Sequence, residues 1–290
     1  MQFAINVMVL ASTYSLLAIG YVLVYRVSRV LNMAHGELMM LSAYLAFALA
    51  AVFPGQPLIV VPMTVGLAAL LGAFAYRLII QRMHGRPVFS SILLTVAMGI
   101  DIQGLVSLVW TPRVQYPAEA LGIIDQPIPL PLGGVVSTLG LVSIAACGAV
   151  LLGLVALFRF SRSGTRMLAA AENPLLVAQR GVDVHALMAM TWAIAVACAA
   201  VAGILYSLGN QLEGGIAVIG LKAFPAALVG GLGSVSGVLP GALLVALAEV
   251  AAIQFVSPQL SNVAPFLVLL VALLIRPWGL FGTPEQIDRV

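Results

Sequence analysis

Residues Phe3–Tyr25 read FAINVMVLASTYSLLAIGYVLVY, 23 consecutive positions without a charged side chain. A helix of about 20 apolar residues crosses a hydrocarbon core of about 30 Å, and it satisfies its own backbone groups where no water can. The run has neither the charged start nor the small-residue cleavage site of a leader peptide, so it is expected to be a retained span. The same reading recurs along the chain at Glu37–Phe53, Leu58–Ile79, Ser90–Trp110, Val135–Phe158, Ala186–Leu208, Gly237–Val256 and Val263–Leu280. A further stretch, Ile216–Leu232, is short and glycine-rich and carries Lys222 and Pro225. It reads as broken or re-entrant, because backbone freed at membrane depth must be buried in protein or line a wet cavity. The expected fold is all-α: a polytopic transmembrane helical bundle of about eight full spans plus that short segment, with residues 1–290 forming one transmembrane domain.

Composition excludes a soluble reading. Charged residues are 8% of the chain and hydrophobic residues 62%, where a soluble surface takes roughly a quarter charged residues. The net charge of +3 rests on 13 basic residues of which one, Lys222, is a lysine. Most of the arginines sit at the ends of apolar runs, which gives no basic face for nucleic acid. Cys147 and Cys198 lie inside apolar stretches without metal-ligand spacing and read as core residues, so no metal and no cofactor is expected.

Basic loops are retained on the cytoplasmic side. Arg77, Arg82 and Arg86 mark one such loop, and Arg159, Arg162, Arg166 and Arg180 another; Arg26, Arg29 and Arg276 then fall on the same side. Arg113, Glu119 and Asp125 fall outside, on a proline-rich stretch from Tyr116 to Pro131 that is too polar to span. The N-terminus is thus outside and the C-terminus inside, provided the broken segment counts as a crossing.

Several chemistries can be set aside. A phosphate-cradling G-x-x-x-x-G-K-[ST] loop is absent, since the only lysine is followed by Ala223. Any ATP is therefore hydrolysed on another chain. His35, His84 and His185 are placed in or beside cytoplasmic loops, out of reach of an intramembrane serine nucleophile, and H-E-x-x-H is missing. The chain does not read as an enzyme. Asp101 and Glu249 are the carboxylates well inside long runs, neither paired in sequence with a base. An aspartate at mid-span costs about 2.5–3.5 kcal/mol, and each Leu, Ile or Val returns roughly 0.3–0.6. Asp101 can therefore insert, but it is expected to face the protein interior; both acids are equally open to a pathway role or to a bundle-holding hydrogen bond.

Three other stretches interrupt the apolar pattern. The inner loop 159–185 has alanines at 169–171, then Glu172-Asn173-Pro174, and a short helical turn closed by Gly181. It is either an exposed docking helix or an ordinary anchoring loop. Asn32-Met33-Ala34-His35-Gly36-Glu37 is either the wall of a gate at a discontinuous helix or a cytoplasmic turn in which Glu37 favours the next helix start. Gly233, Gly237 and Gly241 stand four apart, as do Ala195, Ala199 and Gly203, spacing that lets helices approach closely in lipid.

The sequence resembles the permease subunits of bacterial ATP-binding-cassette importers for branched-chain amino acids, over nearly its whole length. The marks are Leu31-Asn32-Met33-Ala34-His35-Gly36-Glu37 with Ser42-Ala43-Tyr44, the loop from Arg166 through Glu172-Asn173 and Ala178 to Gly181-Val182, Lys222-Ala223-Phe224 leading into Gly230-Gly231-Leu232-Gly233-Ser234, and Arg276-Pro277-Trp278-Gly279-Leu280-Phe281-Gly282. The resemblance implies a multi-pass permease domain in the bacterial cytoplasmic membrane. It also implies a second related permease subunit, either a different chain or another copy, with two ATP-binding subunits and an extracytoplasmic solute-binding protein. The family's coupling loop corresponds to Arg166–Val182, so Arg166, Glu172, Asn173, Ala178, Arg180 and Gly181 are expected to face the ATPase. This loop carries Ala169-Ala170-Ala171 and one acid before Asn173, a departure from the family pattern. Relatives carry urea, short amides or other amino acids, which is the alternative substrate reading; an ion-driven secondary transporter and a passive channel are the rival classes. Asn32, His35, Glu37, Asp101, Gln103, Gln211 and Glu249 are the pathway or gate candidates in an otherwise apolar lining.

Overall fold

A computed structural model of the protein describes residues 1–83, 86–130 and 133–282; His84 lies outside the described residues. In chain order the helices are α1 (Gln2–Ser28), α2 (His35–Val52), α3 (Pro57–Leu78), α4 (Val88–Trp110), α5 (Pro117–Ala120), α6 (Thr138–Phe160), α7 (Arg162–Glu172), α8 (Pro174–Gln179), α9 (Val184–Gly209), α10 (Ala217–Gly230), α11 (Val238–Phe255) and α12 (Ala264–Ile275). Two strands, β1 (Pro127–Leu130) and β2 (Gly134–Ser137), pair antiparallel between α5 and α6. The proline-rich outer stretch thus forms one helical turn and a hairpin. Side chains of Ser137, Ser161, Asn173 and Asp183 accept the free N–H groups at the starts of α6, α7, α8 and α9.

Among the described residues seven helices are long and apolar enough to cross a membrane, and the protein is a multi-pass membrane protein. The eighth apolar run, Val263–Leu280, is helical only over the 12 residues of α12, about 18 Å at 1.5 Å per residue. It stops at Arg276 because the residue before Pro277 is pushed out of helical geometry. The broken segment is as expected: a turn at Gly214–Ile216 followed by the 14 residues of α10.

Contacts sort the chain into two ends. At one, the Gln2 side chain accepts the Val135 N–H at 2.9 Å, Gln115 and Leu212 exchange backbone bonds, and the rings of Phe3 and Phe255 meet at 5.8 Å. At the other, the Tyr76 hydroxyl lies 3.0 Å from His185 Nδ1, and Leu280 and Phe281 donate to the carbonyls of Val229 and Gly230. The segment from Leu212 to Gly230 therefore runs from the first end to the second and counts as a crossing. The arginine-rich loops share the second end, which the positive-inside rule makes cytoplasmic, and the N-terminus lies at the first.

Two helices are central. α1 is buried from Ala11 to Val24 and packs against α6, α9, α10 and α11. α9 carries Trp192, Ala195, Ala199 and Ala200 with no exposure. Where α3 crosses it, a Cβ on Gly72 would sit 2.5 Å from the Trp192 carbonyl oxygen, so only glycine allows this approach.

Candidate functional site

The site is built where two helices are interrupted. α1 ends at Ser28, and Arg29 adopts φ 54°, a left-handed C-cap that turns the chain back. The chain re-enters the bundle, and α2 begins at His35 beside Gly20, eight residues and so about 12 Å back along α1. His35 is fully buried, its ring 4.7 Å from that of Tyr21. A Cβ on Gly20 would fall 2.1 Å from His35 Nε2, so glycine makes room for the imidazole. Neither ring nitrogen has a hydrogen-bond partner among the described residues, nor does Asn32 Nδ2, while Asn32 Oδ1 accepts the Ala34 N–H at 3.2 Å. The Thr95 hydroxyl accepts the Met33 N–H at 3.1 Å. The Asn32–Glu37 stretch is thus a discontinuity inside the bundle rather than a cytoplasmic turn, and the placement of His35 beside an inner loop is corrected. Fluid apolar flanks hide such a return, because Val30 and Leu31 continue the hydrophobic pattern of α1.

The second interruption meets the first. A Cβ on Gly220 would lie 2.2 Å from the Gly36 Cα, and one on Gly36 would lie 2.4 Å from the Ala217 carbonyl oxygen. The starts of α2 and α10 cross backbone to backbone, and the Tyr21 hydroxyl donates to the Gly220 carbonyl at 3.1 Å. Two residues on, Lys222 Nζ donates to Glu249 Oε1 at 2.8 Å, and the Tyr14 hydroxyl donates to Glu249 Oε2. All three side chains are buried. Glu249 is therefore not an isolated acid: it ties α11 to α10 and α1. The signal was present, since a lone lysine and a lone glutamate in neighbouring apolar segments are each too costly to bury without the other.

The remaining candidates lie elsewhere. Asp101 and Gln103 are on the open face of α4, which corrects the expectation that Asp101 faces the interior of this chain. The buried face of α4 is Thr95, Met98, Ile102 and Val106, and a residue next to Ile102 is turned about 100° away from it. Glu37 is half-buried against α4, its Cδ 3.2 Å from where a Cβ on Gly99 would be. Gln211 is exposed at the outer end, its Nε2 3.5 Å from the Tyr116 hydroxyl. Gly237 and Gly241 pack against the backbones of Gly230 and Ala226, whereas Gly233 has open space around it and takes no part in that ridge.

At the inner end, α7 is an amphipathic helix whose Gly164, Met167 and Ala170 are buried against α6, α1 and α9. Arg166, Glu172, Asn173, Ala178, Arg180 and Gly181 are all exposed. Asn173 Oδ1 caps α8 at the Leu176 N–H (3.0 Å), Pro174 opens it, and Gly181 closes it with φ 74°. Leu175 and Leu176 project from α8 with 70% and 57% of their surface exposed.

A bundle of this kind, with interrupted helices meeting in its middle, a charge network in its core and a braced elbow on its arginine-rich end, is a transport protein of the polytopic permease class. The chain belongs to the family described as the branched-chain amino acid transport system / permease component, whose model matches residues 3–273. It is 33% identical over 98% of its length to the high-affinity branched-chain amino acid transport system permease protein LivH of Escherichia coli strain K12, covering 96% of that protein. BraD of Pseudomonas aeruginosa, which bears the same description, is 31% identical with the same coverage. A probable branched-chain amino acid transport permease protein LivH of Methanocaldococcus jannaschii is 26% identical over 92% of this chain and 88% of its own.

Proposed function

We propose that the protein is the membrane-spanning subunit of an ATP-binding-cassette importer that carries branched-chain amino acids across the bacterial cytoplasmic membrane, with ATP hydrolysed on separate subunits. The observation that carries this reading is the α7–α8 elbow. A helix of six residues capped at both ends, holding two leucines out on the arginine-rich side, is suited to seat in a groove on a partner. α7 is fastened to α1, α6 and α9, so a push on α8 reaches the central helices.

A second permease subunit fits the open face of α4. Asp101 has no hydrogen-bond or ion-pair partner among the described residues, and facing lipid it would cost about 2.5–3.5 kcal/mol. A neighbouring transmembrane chain that donates to it removes that cost, and the pathway would then run between the two subunits along α4, Glu37 and the start of α10. The half-helix starts at Gly36 and Ala217 meet without intervening side chains, which lets small rotations of α10 be felt at α2. An extracytoplasmic binding protein would deliver solute at the end that carries α5 and the hairpin.

Purification in mild detergent followed by identification of co-purifying chains tests the assembly. Uptake of leucine by proteoliposomes holding the whole assembly should require ATP inside. Vesicles holding this chain alone that concentrated leucine would overturn the reading.

A further inference from the structure

The outer end of the break carries a feature that transport by an apolar conduit does not require. Between α9 and α10 lies a cavity of about 380 Å³ lined by Tyr206, Asn210, Gln211, Glu213, Ile216 and Ile219. Glu213 has no hydrogen-bond or ion-pair partner among the described residues. Its Oε1 lies 3.2 Å from where a Cβ on Gly215 would be, so glycine keeps open the space beside the carboxylate. Asn210 and Gln211 add two amide side chains, the first donating only to the Tyr206 carbonyl at 3.0 Å. The apolar part of the lining is Ile216, which is buried, and Ile219, half-buried in the first turn of α10.

A neighbouring cavity of about 610 Å³ shares Tyr206 and Asn210 and is lined also by Gln2, Asn6, Thr13, Asp125 and Ser143. Its carboxylate is already engaged: Asp125 Oδ1 accepts from the Thr138 hydroxyl at 2.8 Å and from the Leu139 N–H at 3.0 Å. The larger space thus has an aliphatic wall of its own, with Val9, Leu10 and Leu205, but one oxygen of its carboxylate is already held by two neutral donors. The smaller one is lined by Glu213, Asn210 and Gln211, all on the exposed rim and the first with both carboxylate oxygens unengaged among the described residues, together with Ile216 and Ile219. That combination matches a ligand with an ammonium group, a carboxylate and a branched aliphatic side chain.

We propose that this cavity is a recognition site for the zwitterionic aliphatic amino acid as it leaves the binding protein. Glu213 takes the ammonium group, the amides of Asn210 and Gln211 take the carboxylate, and Tyr206, Ile216 and Ile219 take the side chain. The site lies directly above α10, whose Lys222 is held by Glu249, so occupancy bears on the half-helix that the network fastens. The inference rests on the reading of the chain as an amino acid permease.

The test uses the complete transporter in proteoliposomes with its binding protein, with leucine as the probe. If the wild-type assembly does not take up leucine with ATP, the functional reading itself fails. Where it does, Glu213→Gln should lower leucine uptake at a fixed binding-protein concentration by roughly ten- to a hundredfold, the effect of losing a charged partner worth about 1.5–3 kcal/mol. The binding-protein concentration that half-stimulates ATP hydrolysis should stay where the wild-type complex has it. Ile219→Phe, which narrows the apolar wall, should favour alanine over leucine in the same assay. A rise in the half-stimulating concentration for Glu213→Gln would make Glu213 a docking contact for the binding protein and overturn the proposal. Unchanged uptake by Glu213→Gln would overturn it as well, and so would unchanged solute preference in Ile219→Phe.

Discussion

Removing one partner of the Lys222–Glu249 pair is the most informative perturbation of the bundle. At 2.8 Å and an effective dielectric of about 20, the attraction is about 6 kcal/mol, and it is offset by a desolvation cost of several kcal/mol per ion. The pair as a whole is therefore near neutral, while either half alone is costly. Lys222→Met leaves a carboxylate that still accepts from the Tyr14 hydroxyl, so the loss should fall near the lower bound of about 3 kcal/mol for a broken buried pair. Glu249→Leu leaves a buried ammonium group with no other partner among the described residues, near the upper bound of about 5 kcal/mol. The double variant removes both charges and should recover to within about 1–2 kcal/mol of the wild type, a coupling that a double-mutant cycle reads directly. Tyr14→Phe should cost about 1.5–3 kcal/mol, the value of one hydrogen bond to a charged group. Thermal unfolding of the purified protein in detergent gives the ranking. A double variant as damaged as Glu249→Leu, or a Lys222→Met variant indistinguishable from wild type, would refute the reasoning.

Three further outcomes follow from the geometry. Gly220→Ala drives a methyl to 2.2 Å from the Gly36 Cα, and the resulting shift of α10 against α2 should cost about 1–3 kcal/mol of stability and most of the uptake, checked by thermal unfolding and leucine transport. Asp101→Leu should insert at least as well as wild type but lower the yield of assembled transporter, read by co-purification of the second permease chain; an undiminished assembly would mean that Asp101 faces no partner. Replacing Leu175 and Leu176 together with aspartate should leave the bundle's unfolding temperature within error, since both side chains are mostly exposed, and should abolish ATP-driven uptake by preventing the elbow from seating.

The spans were legible because lipid leaves so little choice: a run such as Thr138–Phe160 has no polar alternative to a helix across the membrane. The elbow was legible too, because Asn173, Pro174 and Gly181 are local punctuation whose meaning does not depend on the rest of the fold. What the sequence hid is everything that depends on rotation or on distant pairing. The face that Asp101 occupies is a matter of 100° steps around α4, and its apolar residues are spread too evenly to fix which stripe is buried. The pairing of Lys222 with Glu249 joins positions 27 apart, and that with Tyr14 joins positions 235 apart. The return of the chain after Arg29 is masked because the residues that re-enter, Val30 and Leu31, are as apolar as those of the helix they leave.

The same physics explains why the polar chemistry gathers at the breaks. The 14 residues of α10 reach about 21 Å, short of the roughly 30 Å of hydrocarbon, and the rest of that crossing is made by residues 210–216, which are not α-helical. Their backbone groups need partners that lipid cannot supply. The N–H and carbonyl of Leu212 find them in Gln115, at 3.0 and 2.9 Å, and the carbonyls of Glu213 and Gly215 accept from the Ile216 and Ala217 N–H groups; the same stretch borders the 380 Å³ cavity. Non-helical backbone is tolerated in a membrane where it is buried in protein or borders an opening, and here turn hydrogen bonds and a polar cavity share that part. An importer has reason to keep such a break, because an unbroken helix would leave neither an opening for a charged solute nor a short element free to tilt against α2.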